Sequence, residues 1–87
     1  NLDSLLSALA KKEFTTVKNW VVQHMDNDPS SVMRKIYDSL YGVLKPPSIP
    51  EAVLIMAKYM KDITLVPDQE INLLACLTEI MMSCEFK

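Results

Sequence analysis

The sequence has little glycine, no excess of positive charge and only two cysteines, and each shortage excludes a class of protein. One glycine in 87 residues cannot form the glycine-rich loops that bind nucleotide phosphates. The net charge of −2 and the isoelectric point near 5.2 argue against nucleic-acid binding, which usually needs a basic stripe. Cys76 and Cys84 are too few for a disulfide framework, so we expect buried, reduced thiols.

Long apolar runs, targeting segments and catalytic motifs are also absent from the sequence. No apolar stretch approaches the roughly 18 residues that a membrane-spanning helix needs, and the N-terminal segment does not have the pattern of a signal peptide. We therefore expect a cytoplasmic protein without a membrane partner. No nucleotide-binding, hydrolase or zinc spacing occurs, and the single histidine, His24, fits a helix surface. We expect no catalytic, cofactor-binding or metal-binding residues in this chain.

The residues that are abundant favour helices. Leucine and methionine are frequent, and β-branched runs are few. Apolar residues recur at helical spacing in five segments, which prolines and polar breaks separate. We predict a single domain over residues 1–87 that folds as an all-α, compact five-helix bundle. The predicted helices cover residues 2–11, 14–25, 29–44, 49–63 and 69–86.

Polar residues before these segments identify the expected helix starts. Asp28 followed by Pro29 is the clearest N-cap, because proline is tolerated in the first helical turn. Asp68 is a second N-cap, and Ser48 with Glu51 matches the S-x-x-E capping box. The expected caps of the first two helices are Asp3 or Ser4 and Thr15 or Thr16. The fourth helix has only a narrow polar strip, so we predict that it is central.

The last predicted helix contains INLLACLTEIMMSC, which is more apolar than a surface helix needs to be. At about 100° per residue, one wide arc that includes both cysteines is expected to face the core. A smaller apolar patch contains Ile71, Ala75, Met82 and Phe86. A polar strip predicted to face water contains Asn72, Glu79 and Ser83. One alternative is that the helix is sandwiched within its own domain, and the other is that the smaller patch or part of the fourth helix contacts another chain; the two can hold for different residues.

Four segments follow one another in an order that is characteristic. LDSLLSALAKKEFTTVKNW precedes VMRKIYDSLYGVL, and PPSIPEAVLIMAKYMKDI precedes DQEINLLACLTEIMMSCEFK. Together they resemble the opening helix pair, the third helix with its Ile36-Tyr37 pair, the fourth helix and the closing helix of one family. That family is the C-terminal collar domain of the small AAA+ ATPase subunit of DNA polymerase clamp loaders. The resemblance is to the bacteriophage type and more distantly to replication factor C small subunits, over nearly the whole chain.

The resemblance implies an oligomerisation domain that is not itself an enzyme. Collars of this family pack into a ring, and their AAA+ modules bind ATP and Mg, the sliding clamp and primer-template DNA. The chain begins at Asn1 rather than Met. We therefore expect it to be a C-terminal fragment whose ATP, clamp and DNA contacts lie in a missing upstream module. The residues predicted to contact other clamp loader subunits are Ile71, Ala75, Met82, Phe86 and Tyr59.

Two other interpretations stay open at this point. Asp38-Ser39-Leu40 reproduces the D-S-L tripeptide of acyl carrier proteins, in which the serine is modified. In those carriers the serine opens a helix, whereas Ser39 falls inside the helix predicted to begin at Asp28-Pro29. The second alternative is an unrelated helical adaptor that binds a partner helix in an apolar groove.

Overall fold

The computed structural model describes residues 2–87, and the predicted all-α five-helix bundle is confirmed for them. Each helix ends one to three residues earlier than predicted. Two short 3-10 turns, Pro46–Ser48 and Ile63–Leu65, flank the fourth helix. The helices are α1 (Leu2–Ala10), α2 (Phe14–Gln23), α3 (Pro29–Val43), α4 (Ile49–Met60) and α5 (Gln69–Ser83).

The helix at the centre of the bundle is α5, since it packs against all four of the others. The prediction that α4 is central is wrong. Its packing partners are α3, α5 and the 3-10 turn that precedes it, so only part of its apolar circumference is covered. Ala52, Ile55 and Met56 are buried, whereas Val53 and Leu54 are exposed. The wide apolar circumference of α4 in the sequence therefore does not indicate how many neighbouring helices cover it.

The wide arc predicted for the fifth helix faces the core. Its buried residues are Leu73, Cys76, Leu77, Ile80, Met81 and Cys84. Both cysteines are free, as predicted. Burial raises the pKa of the Cys76 thiol to about 12, so the thiol stays protonated and packs as a small apolar side chain.

Two of the predicted N-caps are present. A carboxylate oxygen of Asp28 accepts a hydrogen bond from the backbone N–H of Ser31 at 3.0 Å, and Pro29 follows the cap directly. Asp68 accepts from the backbone N–H of Ile71 at the same distance. Each cap satisfies an N–H group that has no acceptor inside its own helix, which contributes about 1 kcal/mol to helix stability.

The caps predicted for the first two helices are wrong. Asp3 and Ser4 lie inside α1, and Thr15 and Thr16 lie inside α2. The connection between these helices is a tight turn in which Lys12 adopts the left-handed region with φ 58°. The N–H groups of Lys12 and Glu13 donate to the carbonyls of Leu9 and Ala8, which closes α1 in a Schellman arrangement. Because this turn leads straight into α2, the helix begins at Phe14 rather than after a threonine.

Ser48 does not form the predicted capping box with Glu51. It already belongs to the 3-10 turn that runs into α4, and its side chain makes no capping bond. Instead, the buried hydroxyl of Ser48 accepts a hydrogen bond from the backbone N–H of Glu85 at 2.8 Å. The backbone N–H of Lys45 also donates to the Glu85 carbonyl at 2.9 Å. The serine therefore joins two distant parts of the chain.

The prediction that the fifth helix reaches Phe86 is wrong. The helix ends at Ser83, and the residues after it run antiparallel to the end of α3. Leu44 and Phe86 form an isolated antiparallel bridge, and the N–H of Lys87 donates to the Val43 carbonyl at 2.8 Å. These backbone hydrogen bonds replace those that a longer α5 would have made.

Ser48→Ala is expected to lower the free energy of unfolding by about 1 to 2 kcal/mol, because the partly buried N–H of Glu85 would lose its acceptor. Urea unfolding followed by circular dichroism measures the loss. Ser83→Ala, at an exposed position, is the control and should change stability by less than about 0.5 kcal/mol. Equal losses in the two variants would contradict a specific role for the Ser48 hydroxyl.

Candidate functional site

Metal-binding clusters, membrane-spanning helices and the surroundings of the single histidine were considered first among the described residues. Among residues 2–87, no group of three or more histidine, cysteine or acidic side chains is placed to hold a metal ion. None of the helices there is long and apolar enough to cross a membrane. His24 stacks on the Trp20 ring with the centroids 3.8 Å apart, and its Nδ1 donates to the Trp20 carbonyl at 2.7 Å. This histidine therefore packs at the end of α2.

Ser39 lies well inside α3, which begins at Pro29, and it is partly exposed. Its neighbour Asp38 pairs with Arg34 one helical turn earlier, with 3.1 Å between Nε and the carboxylate. The serine that acyl carrier proteins modify opens a helix instead. The D-S-L tripeptide therefore lies in a structural context different from that of a carrier protein.

One side of α5 points away from the core and presents apolar side chains to solvent. Ile71 and Met82 are each 65% exposed, and Ala75 between them is partly exposed. From α2, Phe14 reaches the same surface and is 44% exposed. Together they line a shallow depression of about 480 Å³. We term this surface the α5 face, and its residues are Phe14, Ile71, Leu74, Ala75, Thr78 and Met82.

Three of the five residues predicted at the interface, Ile71, Ala75 and Met82, lie together on the α5 face. The helical-wheel placement of Phe86 beside them is wrong, because α5 ends at Ser83. The Phe86 ring is partly buried against the core and lines a separate depression near α1. The structure therefore brings together the members of the predicted patch that are inside the helix.

The fifth predicted residue, Tyr59, belongs to a cluster that joins α4 to α5 at the edge of this face. Lys58 Nζ lies 2.8 and 2.9 Å from the two carboxylate oxygens of Glu79, and the Tyr59 hydroxyl donates to the same carboxylate at 2.8 Å. These bonds lower the pKa of Glu79 and raise the pKa values of Lys58 and Tyr59. Tyr59 thus makes an intramolecular contact and does not line the α5 face.

The strip of α5 predicted to face water faces α4 over most of its length. Glu79 accepts the bonds from Lys58 and Tyr59, and the Asn72 side-chain amide donates to the Tyr59 carbonyl at 3.2 Å. Of the predicted strip, only Ser83 is exposed. Periodicity marks a residue as polar but cannot tell whether its partner is water or a neighbouring helix, so the prediction is confirmed for Ser83 and wrong for Asn72 and Glu79.

Sequence reasoning missed three members of the α5 face: Leu74 and Thr78, which belong to α5 itself, and, from a different helix, Phe14. It shares a helical stripe with Val17 and Val21, which are fully buried, and the stripe suggested a core position. As the first residue of α2, Phe14 lies at the end of that stripe, where the core stops. Its position at a helix terminus was the one available signal, since terminal positions of a buried stripe are covered less completely.

No protein family matches the chain, and no curated protein matches it significantly. The resemblance to clamp-loader collars therefore stays a prediction, and the functional argument depends on the geometry of the α5 face and its edge.

The lowered pKa of Glu79 predicts a pH-dependent contribution to stability. Its ionised carboxylate stabilises the fold above the unfolded pKa of about 4.3, and this contribution is lost as the pH falls through the lower folded pKa. We expect Glu79→Gln to be less stable than the wild type at pH 7 and the difference to narrow toward about pH 3, measured by urea unfolding. Glu70→Gln, on the same helix, is the control. A stability difference between Glu79→Gln and the wild type that does not change with pH would contradict the lowered pKa of Glu79.

The exposure of α5 predicts which methionine oxidises first. Met82 is 65% exposed, whereas the adjacent Met81 is 4% exposed and Met33 is 1% exposed. Peroxide must reach the thioether sulfur to transfer an oxygen atom, so Met82 should form its sulfoxide ahead of the other two. Peptide mass mapping after brief treatment with dilute hydrogen peroxide measures the order. Earlier oxidation of Met81 would show that α5 is rotated from the orientation described.

Proposed function

We propose that this chain is an oligomerisation domain of the collar type found in DNA polymerase clamp loaders and that it carries no catalytic site of its own. The observation that carries the proposal is the α5 face, where Ile71 and Met82 are each 65% exposed beside Phe14. Contiguous exposed apolar surface is characteristic of protein–protein contacts, because it is favourably removed from water when a partner binds.

The position of the face on the central helix supports this role. Since α5 packs against every other helix, its backbone is held from several sides. Bonds from Lys58 and Tyr59 to Glu79 fix one edge of the face. A surface that is already ordered loses little conformational entropy on binding, which favours a lasting contact between subunits.

The part of the proposal that assigns the domain to a clamp loader, and not to another assembly, rests on the resemblance in the order and spacing of the five helical segments. In such a loader the collar would join this subunit to its neighbours in a ring. The AAA+ module of the parent subunit would bind ATP and Mg, the sliding clamp and primer-template DNA. The complex would act in the cytoplasm of the host cell if the subunit is phage-encoded. A helical adaptor of another complex would use the same α5 face, so the identity of the partner separates the two.

Affinity capture with matched charge variants tests the proposal. Met82→Glu places a charge on the α5 face, and Val22→Glu places the same charge at a position that is 50% exposed and outside the face. From cells that produce the protein, the wild type and Val22→Glu should capture subunits that contain G-x-x-x-x-G-K-[ST]. The Met82→Glu variant should capture these subunits in an amount lower by about ten-fold or more, because a charge would be buried at the contact. Quantitative mass spectrometry gives the ratio, and circular dichroism verifies folding.

Two results would contradict different parts of the proposal. Equal capture by Met82→Glu and the wild type would remove the α5 face from the subunit contact. Partners that depend on Met82 but lack the nucleotide-binding motif would reject the clamp-loader type, and the domain would then be an adaptor of another assembly.

A further inference from the structure

We infer that the cleft between α2 and α3 binds a small planar aromatic molecule that carries one anionic group, such as an aromatic carboxylate. The cleft has a volume of about 530 Å³, within the range of roughly 300 to 1,000 Å³ that is usual for ligand pockets. It shares no lining residue with the α5 face. The inference therefore goes beyond the proposed function and does not depend on it.

The packing of the helices creates the cleft. Although α2 and α3 are consecutive in the chain, they do not pack closely on each other, because α2 packs mainly on α1 and α5 and α3 packs mainly on α4. The space between them begins beside the connection of residues 24–28, and Leu2 at the start of α1 also lines it. Three helices therefore border a space that the side chains of the domain do not fill.

The α2 wall of the cleft supplies a flat aromatic surface. Trp20 is 7% exposed, and the His24 imidazole stacks on its ring with 3.8 Å between the centroids and 12° between the planes. The stack and the 2.7 Å hydrogen bond from His24 Nδ1 to the Trp20 carbonyl both hold the imidazole in place. His24 is partly exposed and lines the cleft. A planar ligand can therefore extend the stack over an imidazole that is already ordered, which limits the entropic cost of binding.

The α3 wall presents its side chains in a row that is partly apolar and partly charged. Asp28, Ser31, Val32 and Lys35 recur at helical spacing, so they lie on one side of α3. The distance from Asp28 to Lys35 along the helix axis is about 10 Å. Val32 supplies the apolar part of this wall, and it lies one turn before Lys35. A ring bound between His24 and Val32 would therefore have its substituent close to the Lys35 ammonium group.

The two charged residues of the cleft differ in whether they already have partners. Asp28 Oδ2 accepts from the backbone N–H and the hydroxyl of Ser31, each at 3.0 Å, at the positive end of the α3 dipole. The Lys35 ammonium group forms no salt bridge or hydrogen bond with any residue from 2 to 87. Lys35 is therefore the charge that can pair with a ligand, which favours an anionic group over a cationic one.

Titration followed by nuclear magnetic resonance tests the inference, because Trp20 is the only tryptophan and gives a single indole N–H resonance. Naphthoate, added to the full 87-residue chain, should shift this resonance together with backbone resonances at the end of α2 and the start of α3. The shifts should saturate at millimolar concentration. The neutral amide of naphthoate and the non-aromatic cyclohexanecarboxylate should each bind about three-fold or more weakly.

Matched lysine variants locate the anionic group of the ligand. Lys35→Gln removes the charge and keeps most of the side chain, so it should weaken naphthoate binding about two- to five-fold and leave binding of the amide unaltered. Lys18→Gln makes the same change in net charge at an exposed position of α2 outside the cleft. This control should leave both dissociation constants unaltered, and circular dichroism verifies that both variants fold.

Each arm of the experiment has a result that would overturn the inference. The absence of a saturable shift of the Trp20 indole resonance, or shifts centred on Ile71 and Met82 instead, would reject the cleft as the binding site. Equal binding of naphthoate and its amide, or equal effects of the two lysine variants, would reject the anionic group. Equal binding of cyclohexanecarboxylate would reject the aromatic ring. Met82→Glu should leave naphthoate binding unaltered, so these failures are distinguishable from failure of the proposed function.

Discussion

Burial of one broad side of α5 is the constraint on which the rest of the domain depends. Leu77 and Ile80 are fully buried there, and the other four helices all pack against this helix. A chain of 87 residues has a limited number of helices with which to cover apolar surface. Once four of them cover the wide arc of α5, none is left for its opposite side. The exposure of Ile71 and Met82 therefore follows from the architecture of the bundle as much as from their own positions.

Polar groups mark the boundary between the covered and uncovered sides of α5. Glu79 accepts bonds from Lys58 and Tyr59, and Asn72 donates to the Tyr59 carbonyl. These contacts attach α4 along one edge of α5. They therefore hold the α5 backbone in place next to the apolar side chains beyond that edge. The same residues thus stabilise the domain and pre-organise its surface, which connects packing energetics to binding.

The features that were predicted correctly from the sequence depend on near neighbours in the chain. The five helices, the core arc of α5 and the Asp28 cap all arise from residues within about one turn of each other. Interactions between distant residues were not predictable, because Ser48 finds Glu85 only after the helices have packed. The candidate site shows the same division. The wheel places Ile71 near Met82, whereas Phe14 joins them from another helix.

The central position of α5 also affects when the domain can fold. The first four helices are synthesised before the one against which all of them pack. Before α5 leaves the ribosome, α1 can pack on α2 and α3 can pack on α4, but the apolar surfaces that these helices bury against α5 stay uncovered. Folding is therefore expected to wait for the last helix and then to proceed as one cooperative step. In the interval, the uncovered apolar surfaces of α1 to α4 are prone to aggregation.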